Sequence, residues 1–145
     1  MRRLEHRWDC CIVRGAIADP TRVRGVRRLL HPDPATGDTP TLRDLPRRWL
    51  PLDIDNLPRP NEIDADDLVA CARVAIAALP HTFHNVRYIV QATASHGIAP
   101  GMHLRLWYWR DRPVVGAELK RWLRDAPTDR SVFGGAQPIY PKSGS

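Results

Sequence analysis

The sequence predicts one α+β domain, residues 1–145, in which helices pack on one face of an antiparallel sheet. Segments with strand-like and helix-like patterns follow one another in the order strand, helix, strand, strand, helix, strand between residues 49 and 133. The two middle strands flank a glycine-bearing loop, which is typical of an antiparallel pair. At 145 residues the chain has room for a single domain with a buried core.

The bulk composition is that of a soluble globular protein. Hydrophobic residues make up 43% of the chain and charged residues 26%. No apolar stretch approaches the roughly 20 residues of a membrane span, and the N-terminal apolar run is too short for a signal peptide. Cys10, Cys11 and Cys71 lack the paired spacing of a zinc site. We therefore expect a cytoplasmic protein with reduced thiols and no membrane partner.

The net charge of +6 comes almost entirely from arginine, because lysine occurs only at Lys120 and Lys142. The planar guanidinium fork suits phosphate, which favours a polyanionic partner. A GC-rich genome produces the same arginine-rich, proline-rich composition without selection for binding. The charge balance alone therefore leaves both explanations open.

The N-terminal part is expected to be a small αβ extension. Residues 8–13 (WDCCIV) have the pattern of a short buried strand, and residues 21–30 have that of a short amphipathic helix. The polar face of this helix would carry four arginines that either contact template phosphates or face solvent: Arg22, Arg24, Arg27 and Arg28. Residues 31–43, rich in Pro, Gly, Asp and Thr, are expected to form an exposed loop.

Residues 49–55 (WLPLDID) predict a strand whose two faces differ. Leucine and isoleucine alternate on one face, and Pro51, Asp53 and Asp55 lie on the other. Carboxylates at i and i+2 of a strand are about 6.5 to 7 Å apart at Cα, so both can coordinate hard cations. A pair of Mg²⁺ or Mn²⁺ ions held there would support phosphoryl transfer. The simpler alternative is two solvated aspartates at a strand end.

The remaining segments complete the alternation of elements. An acidic helix start at residues 64–67 precedes apolar residues at helical spacing, which stop at Pro80. Residues 85–94 and 103–109 predict strands on either side of the turn-like residues 95–101. The second of these strands places four residues on one face: His103, Arg105, Trp107 and Trp109.

The C-terminal third is expected to add one helix and one strand. The helix would bury Leu119, Trp122 and Leu123, and residues 129–133 would form a closing strand. The chain ends at PKSGS without a clear terminating element, so a C-terminal part of the domain is expected to be missing.

Several of these segments occur together in one known family. The order WLPLDID, HLRLWYW, ELKRWL and DRSVF…QPIY, from Trp49 to Tyr140, resembles the primase-polymerase domains of phages and integrative elements, which belong to the archaeo-eukaryotic primase superfamily. The resemblance covers roughly the last two-thirds of the chain. It implies an RRM-like catalytic sheet that joins nucleotides on a template with motif-one acidic residues, a motif-two histidine and a motif-three aspartate.

The family motifs map onto individual residues of this sequence. Motif one falls on Asp53 and Asp55, motif two on His103 and motif three on Asp129. The three aspartates would hold Mg²⁺ or Mn²⁺, and the alternative for Asp129, which follows Pro127 and Thr128, is an ordinary turn residue. The family motif has a serine two positions before the histidine, where this chain has Gly101, so His96 in the sequence Ser95-His96-Gly97 is a rival for motif two.

The resemblance also implies the ligands of the site. His103 and Ser95 would contact the phosphates of a nucleoside triphosphate, and the alternative for His103 is an exposed strand histidine. Arg105, one pleat step from His103 on the same face, would either clamp a phosphate with its guanidinium fork or pair with an aspartate as a surface arginine. The template would be single-stranded DNA, and a helicase domain or protein is a further candidate partner. Trp107 and Trp109 are either base-stacking platforms or packed residues. The expected activity is that of a DNA primase and polymerase in the replication of a phage or mobile element.

Two other functions remain open on the sequence. A metal-dependent phosphodiesterase or relaxase-like nickase would use the same aspartates and histidine. The sequence lacks the paired-histidine cluster and the nearby nucleophilic tyrosine that would favour a nickase. The third alternative is a non-catalytic fragment that binds single-stranded nucleic acid.

Overall fold

The computed structural model describes residues 9–22, 24–25 and 27–140. The α+β class is confirmed. The regular elements are strands β1 (Ala16–Ile17), β2 (Leu42–Arg43) and β3 (Arg47–Leu57), helix α1 (Leu68–Ala77), strands β4 (Tyr88–Ala92) and β5 (Met102–Val114), and helix α2 (Gly116–Trp122). Within these described ranges, no helix has the length and apolar character needed to cross a membrane.

The main sheet has three antiparallel strands in the order β3-β5-β4. Strand β5 lies in the centre, with Asp53 of β3 and Gln91 of β4 both opposite Arg105. The register shifts once near each end of the β3 and β5 pairing. The expected antiparallel pairing of the segments on either side of residues 95–101 is thus confirmed.

One face of the main sheet forms the core. Fully buried residues of β3 and β5 pack against fully buried residues of both helices: Leu50, Leu52, Ile54, Leu104, Leu106, Cys71, Ala72, Ala75, Leu119 and Leu123. The alternation of apolar and polar residues in β3 predicted this face. The opposite face, which we name the open face, carries Asp53, Asp55, His103 and Arg105.

Each helix has a local reason for its position. Asp67 caps α1, because its carboxylate accepts a hydrogen bond from the backbone N–H of Ala70 at 2.9 Å. At the start of α2, a Cβ on Gly116 would lie 2.0 Å from the carbonyl oxygen of Phe133. Only glycine fits this contact. Leu119 and Leu123 are buried as expected, while Trp122 stacks on Phe83 and stays partly exposed.

The N-terminal region differs from the expectation of a strand and a helix. The described residues between 21 and 30 form no helix, and Gly25 has a φ of +60°, which interrupts helical geometry. Val23, Val26 and Trp8 lie outside the described residues. Within residues 9–13, Ile12 makes one isolated bridge to Ile139. The region instead forms a two-stranded ribbon of β1 and β2, so the expected loop over 31–43 ends in a strand.

Arg14 ties this region to the main sheet. Its guanidinium donates to the carbonyl oxygens of Trp49, at 2.6 Å, and of Val114, at 2.8 Å. Burial of the side chain lowers the pKa of Arg14 to about 10. The two carbonyls lie on β3 and at the end of β5, so Arg14 joins the N-terminal segment to both strands.

The closing strand expected at 129–133 is wrong. Residues Arg130–Phe133 form a 3₁₀ turn, and only Asp129 pairs with the sheet, through one antiparallel bridge to Asp53. The Asp129 carboxylate accepts from the backbone N–H of Ser131 at 2.8 Å. This local hydrogen bond stabilises a turn in place of an extended chain.

Candidate functional site

The open face presents three of its cross-strand pairs in successive rows along β3 and β5. Trp49 lies opposite Trp109, Pro51 opposite Trp107 and Asp53 opposite Arg105. Beyond the last of these rows, Asp55 contacts His103 by a side-chain hydrogen bond. The face therefore changes from aromatic to charged along the strands, and four of the predicted site residues lie together at the charged end: Asp53, Asp55, His103 and Arg105.

Arg105 holds the carboxylate of Asp53 with a bidentate fork. Nε of Arg105 donates to Oδ1 of Asp53, and Nη2 donates to Oδ2 at 2.7 Å. Nη1 donates to the carbonyl oxygen of Tyr140 at 2.8 Å. Both Asp53 and Arg105 are 8% exposed. The bidentate geometry is the strongest form of carboxylate and guanidinium pairing, so Asp53 is neutralised in this state.

His103 faces Asp55 in the next row. Nδ1 of His103 lies 3.3 Å from Oδ1 of Asp55, and Nε2 lies 2.9 Å from the carbonyl oxygen of Pro100. Because both ring nitrogens face oxygen acceptors, only the imidazolium donates to both at once. The His103 ring is buried, whereas the side chain of Asp55 is 47% exposed. Of the two aspartates on this face, Asp55 is therefore the one that is open to a ligand.

His96 has a different position from His103. Its Nδ1 accepts from the backbone N–H of His103 at 3.2 Å, and its Nε2 lies 2.8 Å from the carbonyl oxygen of Ala65. His96 thus links the turn at 95–101 to the loop before α1. Ser95 is exposed in the same turn, where its carbonyl oxygen accepts from Ala99 at 2.9 Å. Of the two histidines, His103 is the one in contact with a predicted metal ligand.

Asp129 comes next to Asp53 through the backbone. Its N–H donates to the carbonyl oxygen of Asp53 at 2.8 Å. The carboxylate of Asp129, however, accepts from the N–H and the hydroxyl of Ser131 at 2.8 and 2.6 Å. The fold brings the backbone of Asp129 beside Asp53, and the side chain of Asp129 caps a turn.

A divalent cation fits the site by the type of its donors, under one condition. Carboxylate oxygens are the ligands that Mg²⁺ and Mn²⁺ prefer, and Asp53 and Asp55 lie on the same face. Among the residues that the structure describes, no group of three or more acidic, histidine or cysteine side chains converges. Asp53 becomes available to a cation only when Arg105 releases it.

The four arginines of residues 21–30 lie in the N-terminal region. Arg27 forms ion pairs with Asp33 at 2.6 Å and Asp38 at 2.9 Å, and hydrogen bonding to Asp33 raises the pKa of Arg27. Arg28 donates to the carbonyl oxygen of Ala136 at 2.9 Å. All four arginines of the group are exposed, and Arg22 lies 3.5 Å from the hydroxyl of Thr39. Arg27 and Arg28 therefore have structural partners within the fold.

The aromatic end of the open face contains residues that the sequence did not single out. A cavity of about 430 Å³ opens there, lined by Ile12, Trp49, Arg87, Ile89, Trp107 and Trp109 among others. Trp107 is buried, as expected of a packed residue, whereas Trp109 is 69% exposed and is not packed in the core. Side chains alternate between the two faces of β4, which places Ile89 and Gln91 on this face. This alternation is the sequence signal that could have identified them.

Comparison of the chain with protein-family models, with curated proteins and with solved structures gave no match. The family resemblance therefore remains a prediction from the motifs, and function has to be argued from the geometry of the open face.

Proposed function

We propose that the charged end of the open face catalyses template-directed nucleotidyl transfer on single-stranded DNA. One observation carries the proposal: the bidentate Arg105 fork on Asp53 lies beside the Asp55 and His103 pair on one face of the sheet. Acidic groups that can hold a cation and basic groups that can hold phosphate are thus interleaved within hydrogen-bonding distance. This combination is what triphosphate chemistry requires.

Asp53 and Asp55 would hold the divalent cation. When bound, Mg²⁺ or Mn²⁺ supplies Lewis-acid stabilisation of the charge that develops on the phosphoryl oxygens. Asp129, already beside Asp53 through the backbone, would be the third carboxylate once its hydrogen bonds to Ser131 are released.

Arg105 would release the carboxylate of Asp53 and bind a phosphate of the triphosphate in its place. The guanidinium fork matches phosphate as well as carboxylate, so a triphosphate that takes Arg105 frees Asp53 at the same time. Once Asp55 turns to a cation, the Nδ1–H of His103 would be released and could donate to the same phosphates, while Nε2 stays on the carbonyl oxygen of Pro100. Ser95 lies exposed in the adjoining turn, where its hydroxyl would complete the phosphate contacts.

The sharpest test uses Asp55. Replacing Asp53 also removes the partner of a buried arginine, so a loss of activity there would be confounded by misfolding. Asp55→Asn keeps the shape of an exposed side chain. We expect primer synthesis and extension on single-stranded template with Mn²⁺ to fall by about 100-fold or more, because a cation ligand contributes several kcal/mol.

Asp125→Asn is the matched control. Asp125 is an exposed aspartate just after α2, paired with Arg124, and the substitution makes the same change of charge. We expect it to retain full activity. If Asp55→Asn incorporates nucleotides as fast as Asp125→Asn and wild type, the two-carboxylate site is refuted.

A second candidate function has one observation in its favour. The structure brings Tyr140, with a side chain more than half exposed, next to the charged end, because its carbonyl oxygen accepts from Arg105. A tyrosine beside a cation site suits a metal-dependent phosphodiesterase or relaxase-like nickase. Nicking of supercoiled DNA that is lost in Tyr140→Phe, without nucleotide incorporation by the wild type, would favour this alternative.

A further inference from the structure

The aromatic end of the open face exposes more apolar surface than packing requires. Trp109 is 69% exposed and Ile89 is 55% exposed, and they border the same cavity of about 430 Å³. Cavities of about 300 to 1,000 Å³ with aromatic walls are typical of small-ligand sites. An exposed tryptophan beside such a cavity indicates a surface that a ligand covers.

The wall of this cavity is already rigid. The Nε1–H of Trp107 donates to Oε1 of Gln91 at 3.1 Å, and the rings of Trp107 and Trp49 lie 6.1 Å apart with an interplanar angle of 49°. The buried ring of Trp107 and the half-buried ring of Trp49 therefore form the floor, and Trp109 lies at the rim. A planar ligand that lies on Trp109 meets a preformed surface, so little side-chain ordering opposes binding.

Guanidinium groups surround the aromatic rings. Arg14 lies 5.2 Å from the ring centroid of Trp49, Arg105 lies 5.8 Å from that of Trp107, and Arg87 lines the cavity itself. Among the described residues that line the cavity, none carries a carboxylate. Arg105 is paired with Asp53 and Arg14 is buried on carbonyl oxygens, so Arg87, which is exposed, is the charged group that faces a ligand in the cavity. A site with aromatic walls and an exposed arginine is complementary to a ligand that is both planar and anionic.

We propose that the aromatic end binds an unpaired base of single-stranded DNA, with the base stacked on Trp109 and a neighbouring phosphate at Arg87. Along β5, Trp109 lies four residues from Arg105, or about 13 Å at the usual strand rise. A strand that runs along β5 from Trp109 therefore reaches the Asp53 and Arg105 pair. The assignment of this strand as the template rests on the proposed function.

The test separates stacking from charge. Fluorescence anisotropy measures binding of the full chain to a strand of about 12 thymidylates and to an abasic strand of the same length. The wild type should prefer the thymidylate strand. Trp109→Ala should weaken thymidylate binding by roughly 5- to 150-fold, the range for loss of one stacked base, and leave abasic binding unchanged. Trp109→Phe, which keeps a ring, should restore most of the preference.

Val69→Ala is the control for loss of an exposed apolar side chain, since Val69 is 51% exposed on α1, away from the open face. If Trp109→Ala weakened binding of the thymidylate strand and of the abasic strand equally, the proposal would be overturned, because the effect would not depend on a base. Unchanged binding in Trp109→Ala would also overturn it. If the substitution instead changes the oligomeric state in sedimentation, the cavity is a contact between two copies of the chain.

Failure of the base site and failure of the catalytic site give different results. Asp55→Asn should bind the thymidylate strand as the wild type does and incorporate no nucleotide. Base-dependent binding by a wild type that incorporates none would refute nucleotidyl transfer and support the base site. Incorporation by Trp109→Ala at the wild-type rate, at every template concentration, would refute the base site and leave the catalytic proposal intact.

Discussion

Arg105 contacts both carboxylate oxygens of Asp53 and, with its third nitrogen, the carbonyl oxygen of Tyr140. The pair is buried at the charged end of the open face. Arg105 therefore has two roles in the structure, since it neutralises Asp53 and attaches the C-terminal segment to β5. A ligand that displaces Arg105 therefore both frees the charge of Asp53 and loosens the attachment of the C-terminal segment to β5.

Breaking this pair should destabilise the fold. Asp53→Ala or Arg105→Ala leaves the other charge buried without its partner, which costs about 3–5 kcal/mol in the free energy of unfolding. Urea unfolding measures the loss. The double variant Asp53→Leu with Arg105→Met should lose less than the sum of the single variants. Single losses below about 1 kcal/mol would mean that the pair is solvated and contributes little.

Gly116→Ala should be among the most damaging small substitutions in the chain. Its Cβ would meet the carbonyl oxygen of Phe133 at 2.0 Å, so α2 and the following 3₁₀ turn must separate. We expect a loss of about 3 kcal/mol or more, measured by thermal unfolding. Gly37→Ala is the control, because Gly37 has a φ of +73° with open space around it. Its cost should be about 1 kcal/mol. Equal costs would contradict the close contact.

Tyr108 gives the fold a dependence on alkaline pH. Burial raises the pKa of Tyr108 to about 12. Between pH 10 and 12 the unfolded chain loses this proton while the native state keeps it, so stability falls as the pH rises through that window. The wild type should lose about 2–3 kcal/mol more than Tyr108→Phe across it, by urea unfolding at each pH. Parallel curves for the two proteins would rule this out.

The same variant should be harmless at neutral pH. Among the described residues, the Tyr108 hydroxyl is buried with no hydrogen-bond partner. Removing a buried polar group that lacks a partner is neutral or stabilising. We therefore expect Tyr108→Phe to match or exceed the wild-type stability at pH 7, and a loss above about 1 kcal/mol would indicate a hydrogen bond to the hydroxyl.

Arg87 should contribute to the salt dependence of strand binding. If it neutralises one phosphate, Arg87→Ala reduces the slope of log affinity against log salt by about 0.7. Anisotropy titrations at several salt concentrations measure the slope. Arg73→Ala is the control, since Arg73 is exposed on α1. The same slope change in both variants would indicate a diffuse effect of net charge.

The main sheet and both helices were predictable because each has a regular pattern. In β3 and β5 the side chains alternate between the buried face and the open face, and α1 has a capping aspartate at its start. These signals are local in sequence. The helix predicted over residues 21–30 is wrong because the apolar residues there have helical spacing but Gly25, between them, has a positive φ. The strand predicted over residues 129–133 is wrong because the Asp129 carboxylate accepts a local hydrogen bond from Ser131, which favours a turn.

The candidate site was only partly predictable. Sequence placed Asp53 and Asp55 on one face and His103 and Arg105 on one face, but it could not give the register between the two strands. Asp53 and Arg105 are 52 residues apart, and a slip of one residue would place them on opposite faces. The Arg105 fork on Asp53, and with it the competition between arginine and cation, follows only from the three-dimensional pairing.

The outer edge of β3 has a consequence for association with other chains. The backbone groups of three alternate residues face outward along this edge. The carbonyl oxygen of Trp49 accepts from Arg14, Pro51 has no N–H, and the carbonyl oxygen of Asp53 accepts from the N–H of Asp129. These contacts and the proline interrupt the ladder of donors and acceptors that an incoming β-strand would pair with. The addition of a further strand, and with it fibril growth, is therefore disfavoured at this edge. Asp53 and Asp55 can thus lie on an edge strand that does not promote aggregation.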